Sequence, residues 1–305
     1  MMNFDDISAF NAVVETGSIS AAGRRLGLAK SVISKRVKDL EAVVSATLFK
    51  RTTRSVKLTD QGRTLYEHTR AIMNQLDEAA SAVAERADEL KGTIRIAAPV
   101  SFGTLYLGQL LWPFMQRHPG LEMAIDLDDR VVDLLGNGYD LGIRVGRLPD
   151  SSLVARRLSC MRQFLCASPA YLQRHPAPRS PEDLADHECI GYAHLTAGQV
   201  WQFEPARGTS EVRSVRVRGR FVANNGELMR DAAIAGLGLA VLPEFLVSEA
   251  LSNGRLVLVL PTCRPLSGSV YALYPRDRQR SLRIRTLVDH LADALSKRPP
   301  WVSTD

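Results

Sequence analysis

Gly92 divides the chain into two kinds of pattern. After it, apolar runs of β type (TIRIAAPV, LEMAIDL, DLGIRVG, LGLAVLP, RLVLVL) alternate with helical runs such as LYLGQLLWPFMQRH and ELMRDAAIAG. Strands and helices in alternation bury their apolar faces best as mostly parallel sheets with helices laid over them. Before Gly92 the apolar residues recur at three- and four-residue spacing, the mark of helices. A chain of 305 residues is also too long for one ordinary core. The expected fold is therefore an α/β body carrying a separate helical head.

In the head, Phe4, Ile7, Phe10, Val13 and Val14 outline a first helix that stops near Gly17. Ser18 is placed to cap a short second helix through Ala21, Ala22 and Leu26, and Gly27 suits its left-handed stop. AKSVISKRVKDLE, residues 29 to 41, follows as a third helix. Two helices joined by a short Gly-containing turn, the second of them basic, have the layout of a DNA-binding helix-turn-helix. LFKRTTRSVKLT then reads as two extended pieces around a Thr/Arg turn, a β-hairpin wing. Thr59 is positioned as the N-cap of a long helix from about Asp60 to Leu90. Along it Leu65, Ile72, Leu76, Ala79, Val83 and Leu90 keep a three-four alternation broken by Thr69 and Arg86. Such a stripe serves either a second helix or the chain's own body.

The third helix sorts its residues by face: Ile33, Val37 and Leu40 on one side, Ser31, Ser34, Lys35 and Lys38 on the other. Cations there suit phosphate or guanine, and short hydroxyls let a helix lie close and bond base edges. Lys30 joins them at the start. Arg36, nearer the flank, suits a phosphate and a link to Glu41 equally. Arg51 and Arg54 at the hairpin turn suit a minor groove, where negative potential favours Arg. Up to Arg63, eleven Lys and Arg stand against six Asp and Glu, so five of the net +6 charges fall in the first fifth of the chain. A polyanionic partner explains that asymmetry. A solvated basic face is the alternative.

Enzymatic signals are thin. There is no G-x-S-x-G elbow, no phosphate-binding GxxxxGK[ST] loop and no strand-turn-helix GxGxxG. The histidines, His68, His118, His175, His187, His194 and His290, lack metal-ligand spacing, so neither metal nor cofactor is expected. Cys160, Cys166, Cys189 and Cys263 are scattered as reduced thiols are, and Cys166 reads as a structural thiol before a nucleophile. No apolar run approaches the ~20 residues needed to span a bilayer. MMNFDDISAF carries acids where a secretory signal needs cations. A cytoplasmic chain with no membrane partner is expected.

The run FNAVVETGSISAAGRRLGLAKSVISKRVKDLEAVVSATLFKRTTRSVKLTDQG resembles the N-terminal signature of the LysR-type transcriptional regulators. The matching residues are Gly17-Ser18, Ala21-Ala22, Leu26, Ser34, Val37, Leu40-Glu41, Leu48-Phe49, Arg51, Leu58-Thr59 and Gly62. In the body, PVSFG, DLGIRVGRLPDSSLVARRL, CASPAYL and AAIAGLGLAVLP look like effector-domain motifs of one subgroup. Two positions depart from the usual pattern. Ala29 stands where family members often have a capping Ser, and Lys30 where they often have Gln.

The resemblance implies a winged helix-turn-helix over 1–60, with Ser18, Lys30, Ser31, Ser34, Lys35, Arg36, Lys38, Arg51 and Arg54 facing double-stranded DNA. It further implies a dimerisation helix over 61–91 and a two-lobed, periplasmic-binding-protein-like effector domain over 92–305. Lobe I is expected over about 92–163 and 269–305 and lobe II over about 164–268, with crossings sought in the loops near 146–151 and 264–269. Dimers or tetramers, a small organic or aromatic acid as effector and contact with RNA polymerase follow from the same likeness.

Five residues are candidates for the effector. Ser101 is read as the N-cap of a helix starting about Phe102, beside free amides that attract an anion. Asn224 and Asn225 suit a ligand or an ordinary Asx turn. Arg144 suits an acid ligand or an Asp of the fold. Phe102, with Tyr192 and Trp201, suits an aromatic wall or the core. Gly236 and Gly238 are expected at a helix stop rather than at a phosphate. An architectural DNA binder without ligand control, and an enzyme with an appended head, are the other classes.

Overall fold

A computed structural model describes residues 2–51, 56–83, 90–149, 151–194, 199–204, 211–297 and 299–301. It divides into two compact units, residues 1–87 and 88–305.

The first unit contains α1 (Phe4–Thr16), α2 (Ile19–Leu26), α3 (Lys30–Val44), the hairpin β1 (Phe49–Arg51) and β2 (Val56–Leu58), and α4 (Asp60–Val83). Local chemistry sets each boundary. The Ser18 side chain accepts from the Ala21 amide at 3.4 Å, and Gly17 and Gly27 end their helices at φ of 65° and 66°, where a side chain would be strained. A Cβ on Gly23 would lie 2.7 Å from the Leu28 carbonyl, so glycine lets the turn fold back over α2. Ile33, Val37 and Leu40 are buried with Phe10, Val13, Ala22 and Leu48. Each large apolar side chain so enclosed contributes about 1.5–3 kcal/mol.

Thr59 caps α4 by accepting from the Gly62 amide at 2.9 Å. Thr69, which interrupts the apolar stripe, donates to Asn11 Oδ1 at 2.9 Å and so ties α4 to α1. Ile72 and Leu76, in the stripe, are 51% and 48% exposed. Leu90 does not continue that stripe. It lies buried in the hydrophobic core of the second unit with Ile94 and Leu121. Ala79 and Val83 have side chains outside the described residues, as does Arg51, and Arg54 and Arg86 lie outside them altogether.

In chain order the second unit contains β3 (Gly92–Ala98), α5 (Val100–Phe102), α6 (Gly108–Arg117), β4 (Leu121–Leu127), β5 (Leu141–Gly146), β6 (Val154–Met161), β7 (Gln163–Ala167), α7 (Pro169–Arg174), β8 (Gly191–Tyr192), β9 (Val200–Phe203), β10 (Arg213–Arg216), β11 (Val222–Ala223), α8 (Gly226–Ile234), β12 (Ala240–Pro243), α9 (Glu244–Ser252), β13 (Val257–Leu258), β14 (Gly268–Tyr274) and α10 (Leu282–Lys297). One π-helical turn, Gly103–Leu107, joins α5 to α6.

The first sheet runs β4-β3-β5-β14-β6. β3 is parallel to β4 and β5, whereas β14 is antiparallel to both β5 and β6. The second lobe is built on β12-β7-β13, all antiparallel, with the parallel pair β11-β8 bridged to it where Cys189 meets Leu239. The expectation of mostly parallel sheets thus holds only for β3, β4 and β5 and for that short pair. Two long strands that carry the chain between lobes, β6 outward and β14 back, must run opposite to each other.

The outward crossing falls at Arg162, between β6 and β7, and not in the loop near 146–151. Arg162 Nε donates to Glu244 Oε2 at 3.0 Å, and the Glu244 amide donates to the Arg162 carbonyl at 2.9 Å. One continuous core spans both lobes, from Ile94, Ile96 and Phe114 to Leu242, Phe245 and Val247.

Candidate functional site

Two sites arise from separate units. On α3, Lys30, Ser31, Lys35 and Lys38 are exposed and Ser34 is half-buried, while Ile33, Val37 and Leu40 are at most 1% exposed. Ala29 provides no side-chain cap, and the Val32 amide of the first turn donates to the Ala29 carbonyl at 3.0 Å. Arg36 is committed elsewhere. Its Nη2 lies 2.8 Å from Asp5 Oδ2 and its Nη1 donates to the Asp5 carbonyl, so it fastens α3 to the start of α1 and does not reach Glu41. Glu41 instead accepts from the Leu48 amide at 2.7 Å, holding the approach to the wing.

The cleft in the second unit differs from the sequence reading at its helix. β3 ends at Ala98, Pro99 occupies the N-cap position, and α5 begins at Val100. Ser101 therefore caps nothing. It sits inside the first turn, 5% exposed, with its Oγ 3.4 Å from Asn225 Nδ2 of the other lobe. The foremost amide, that of Val100, already donates to Asp129 Oδ1 at 3.0 Å.

Phe102 is core rather than wall. It is 1% exposed and its ring packs against Phe245 at 5.8 Å and Trp301 at 5.9 Å. Trp201 likewise belongs to the core of the second lobe, with Leu165 and Phe203. Asn225 is the N-cap of α8, its Oδ1 accepting from the Leu228 amide at 2.9 Å, and Asn224 is exposed beside it. Gly236 follows the end of α8 at φ 77°, as a helix stop requires.

Arg144, on β5, is one of the polar residues left with an unsatisfied buried atom among the described residues. Asp140, the acid of the fold close to it in sequence, is taken by Arg278 at 3.3 Å. Asp128 is taken by Arg130 at 2.7 Å, which holds the Asp128 carboxyl down at about 2. Arg144 Nη2 is buried with no hydrogen-bond partner among the described residues. Burial lowers the Arg144 pKa against the opposing charges of Asp128, Tyr192 and Asp129.

Asp129, Tyr192 and His194 complete the set. Burial raises the Asp129 carboxyl, partly offset by the Val100 amide, His194 and Arg144. Burial and the Asp129 charge push the Tyr192 phenol up to about 12. His194 packs edge-on against Tyr192 at 5.5 Å, and its Nε2 is buried without a partner among the described residues. The sequence marked Tyr192 only as a wall and passed over Asp129. Nothing local flags Asp129, which follows β4 and meets Arg144 and Tyr192 only through the fold.

Enzymatic alternatives find no support in the thiols. Burial pushes Cys166 and Cys189 up to about 12, far from a thiolate at neutral pH. Among the described residues no group of three or more His, Cys, Asp or Glu is arranged to hold a metal, and no helix is long and apolar enough to cross a membrane.

Comparison with known proteins matches residues 4–63 to the bacterial regulatory helix-turn-helix of the lysR family and residues 87–296 to the LysR substrate binding domain. The chain belongs to the LysR-type transcriptional regulators. As a LysR-type regulator it combines a DNA-binding head with a domain for small-molecule effectors, and its relatives are regulators rather than enzymes. PtxR, an HTH-type transcriptional regulator of Pseudomonas aeruginosa, is 37% identical over 298 residues, 98% of this chain and 95% of that one. TtdR, an HTH-type transcriptional activator of Escherichia coli K12, is 32% identical over 94% of this chain and 92% of its own. Among solved structures, CrgA, a LysR-type transcriptional regulator of Neisseria meningitidis, is 29% identical with a TM-score of 0.59, covering 97% of this chain and 99% of that one. Full-length AphB, a virulence activator of Vibrio cholerae, is 28% identical with the same score, covering 96% and 99%.

Proposed function

We propose that α3 of this LysR-type regulator enters the major groove of double-stranded DNA. Lys35 and Lys38 approach phosphate or guanine, Ser31 and Ser34 lie against base edges, and Lys30 serves the first turn. The observation that carries this reading is the division of α3 into a buried apolar face and an exposed face of cations and hydroxyls. Ser18 supports the helix-turn-helix through its cap, and Arg36 through its tie to Asp5. Arg51 and Arg54 extend the contact to the minor groove beside the wing.

Two copies pair along α4 through Ile72 and Leu76, presenting two basic helices to a pseudo-palindromic site, and two such pairs join as a homotetramer. A small organic acid enters the cleft and pairs with Arg144. Its binding shifts the balance between subunit arrangements, and with it DNA bend or contact with RNA polymerase, in the cytoplasm.

Genome-wide mapping of bound sites, followed by anisotropy titration of one recovered duplex against its scrambled version, tests the assignment. The recovered duplex is expected to bind more tightly, with affinity falling steeply as salt rises. A protein that ignores every duplex at low ionic strength overturns it.

A further inference from the structure

The cleft contains two opposite charges that the fold has not joined. Arg144 has a buried nitrogen with no partner among the described residues, and Asp129 spends one oxygen on the Val100 amide. No ion pair links them, although each feels the other's charge. The other formal charges nearby are already matched, Asp128 by Arg130 and Asp140 by Arg278. Tyr192 adds a polar group without adding charge at neutral pH, since its phenol is pushed up to about 12, and His194 adds a buried ring nitrogen.

A simple carboxylate satisfies Arg144 and sets a second anion near Asp129. A simple amine has the converse fault. Leaving either half-buried charge unmatched has a cost, because a site of lowered dielectric strengthens repulsion as much as attraction. A ligand with both groups on one small frame meets both charges and leaves the site neutral.

We propose that the effector cleft is built for a zwitterion, a small amino acid whose carboxylate pairs with Arg144 and whose ammonium pairs with Asp129. This rests on the reading of the cleft as the effector site and specifies its chemistry. Asp129 is then the residue that distinguishes an amino acid from the corresponding plain acid, and His194 Nε2 offers a third polar contact. Burial raises the pKa of the Asp129 carboxyl, and an ammonium brought against it opposes that penalty.

The test uses the full-length protein and three panels: the standard amino acids, their deaminated acids (such as propionate for alanine and 3-phenylpropionate for phenylalanine), and their decarboxylated amines. Binding is read by thermal shift and then by calorimetry. At least one amino acid is expected to bind about tenfold or more tightly than both its counterparts, as one charge-assisted hydrogen bond is worth. Asp129→Asn is expected to erase the margin over the plain acid, and Arg144→Gln to erase the margin over the amine.

A plain acid that binds as well as its amino acid overturns the zwitterion while leaving the effector cleft intact, as does a margin that survives D129N. If no panel shifts the protein, the effector reading falls together with this one. The panels on the unaltered protein decide the matter even where a variant fails to fold.

Discussion

Asn225 works on both sides of the cleft at once. Its Oδ1 accepts from the Leu228 amide at 2.9 Å to start α8, while its Nδ2 reaches Ser101 Oγ of the other lobe at 3.4 Å. Removing it unmakes a cap and an inter-lobe hydrogen bond together. Asn225→Ala is expected to destabilise the second unit by about 1–2 kcal/mol. At the size of this unit that lowers the melting temperature by several degrees, about 2–4 °C per kcal/mol. A calorimetric scan checks it.

Neighbouring cations on α3 separate reading from scaffolding. Lys35 is exposed and makes no ion pair among the described residues, whereas Arg36 is paired with Asp5. Lys35→Ala is expected to weaken operator binding and to lower the slope of log affinity against log salt by about 1. Arg36→Ala is expected to leave that slope nearly unchanged and to cost up to about 1 kcal/mol of stability. Salt titrations of both variants provide the check.

Pairing along α4 has a direct test. Ile72 and Leu76 each leave about half their surface in water. Replacing both with Glu places like charges in a helix seam, and the protein is expected to sediment as a smaller species and to lose affinity for a two-half-site operator. Unchanged sedimentation would assign the stripe to another role.

The Asp129 carboxyl gives a pH signature. Its pKa is raised on folding, so the folded state holds the proton more tightly than the unfolded one. Its ionised form therefore lowers stability above the folded pKa, and that penalty disappears as pH falls through it. Asp129→Asn retains an acceptor for the Val100 amide and is expected to raise the melting temperature of the unliganded protein at neutral pH. The gain should shrink toward zero on acidification through the carboxylate range, as a series of melts across pH will show.

Local patterns were legible where the cause is local. The spacing of Ile33, Val37 and Leu40 separated the two faces of α3, and Ser18 and Thr59 marked helix starts because a side-chain oxygen satisfies an amide a few residues on. Ser101 misled because Pro99 takes the N-cap position itself, so α5 starts one residue before the serine. Leu90 kept the helical spacing of α4 yet belongs to the next core.

Pairings across the fold were invisible in the sequence. Arg36 finds Asp5 from 31 residues away, and Arg144 meets Tyr192 only because β5 and β8 come from facing lobes. The antiparallel return of β14 likewise depends on where the chain re-enters the first sheet, which no stretch of residues announces.

Trp301 gives the molecule an optical gauge. Of the three tryptophans, Trp112 is half in water and Trp201 is enclosed within the second lobe. Trp301, 4% exposed, touches Phe102 and Tyr106 from one lobe and Phe245 from the other. Any change in the angle between lobes has to slide these rings past the indole, so its emission is expected to move when an effector seats. The signal needs no attached dye, and in Trp301→Phe it should disappear.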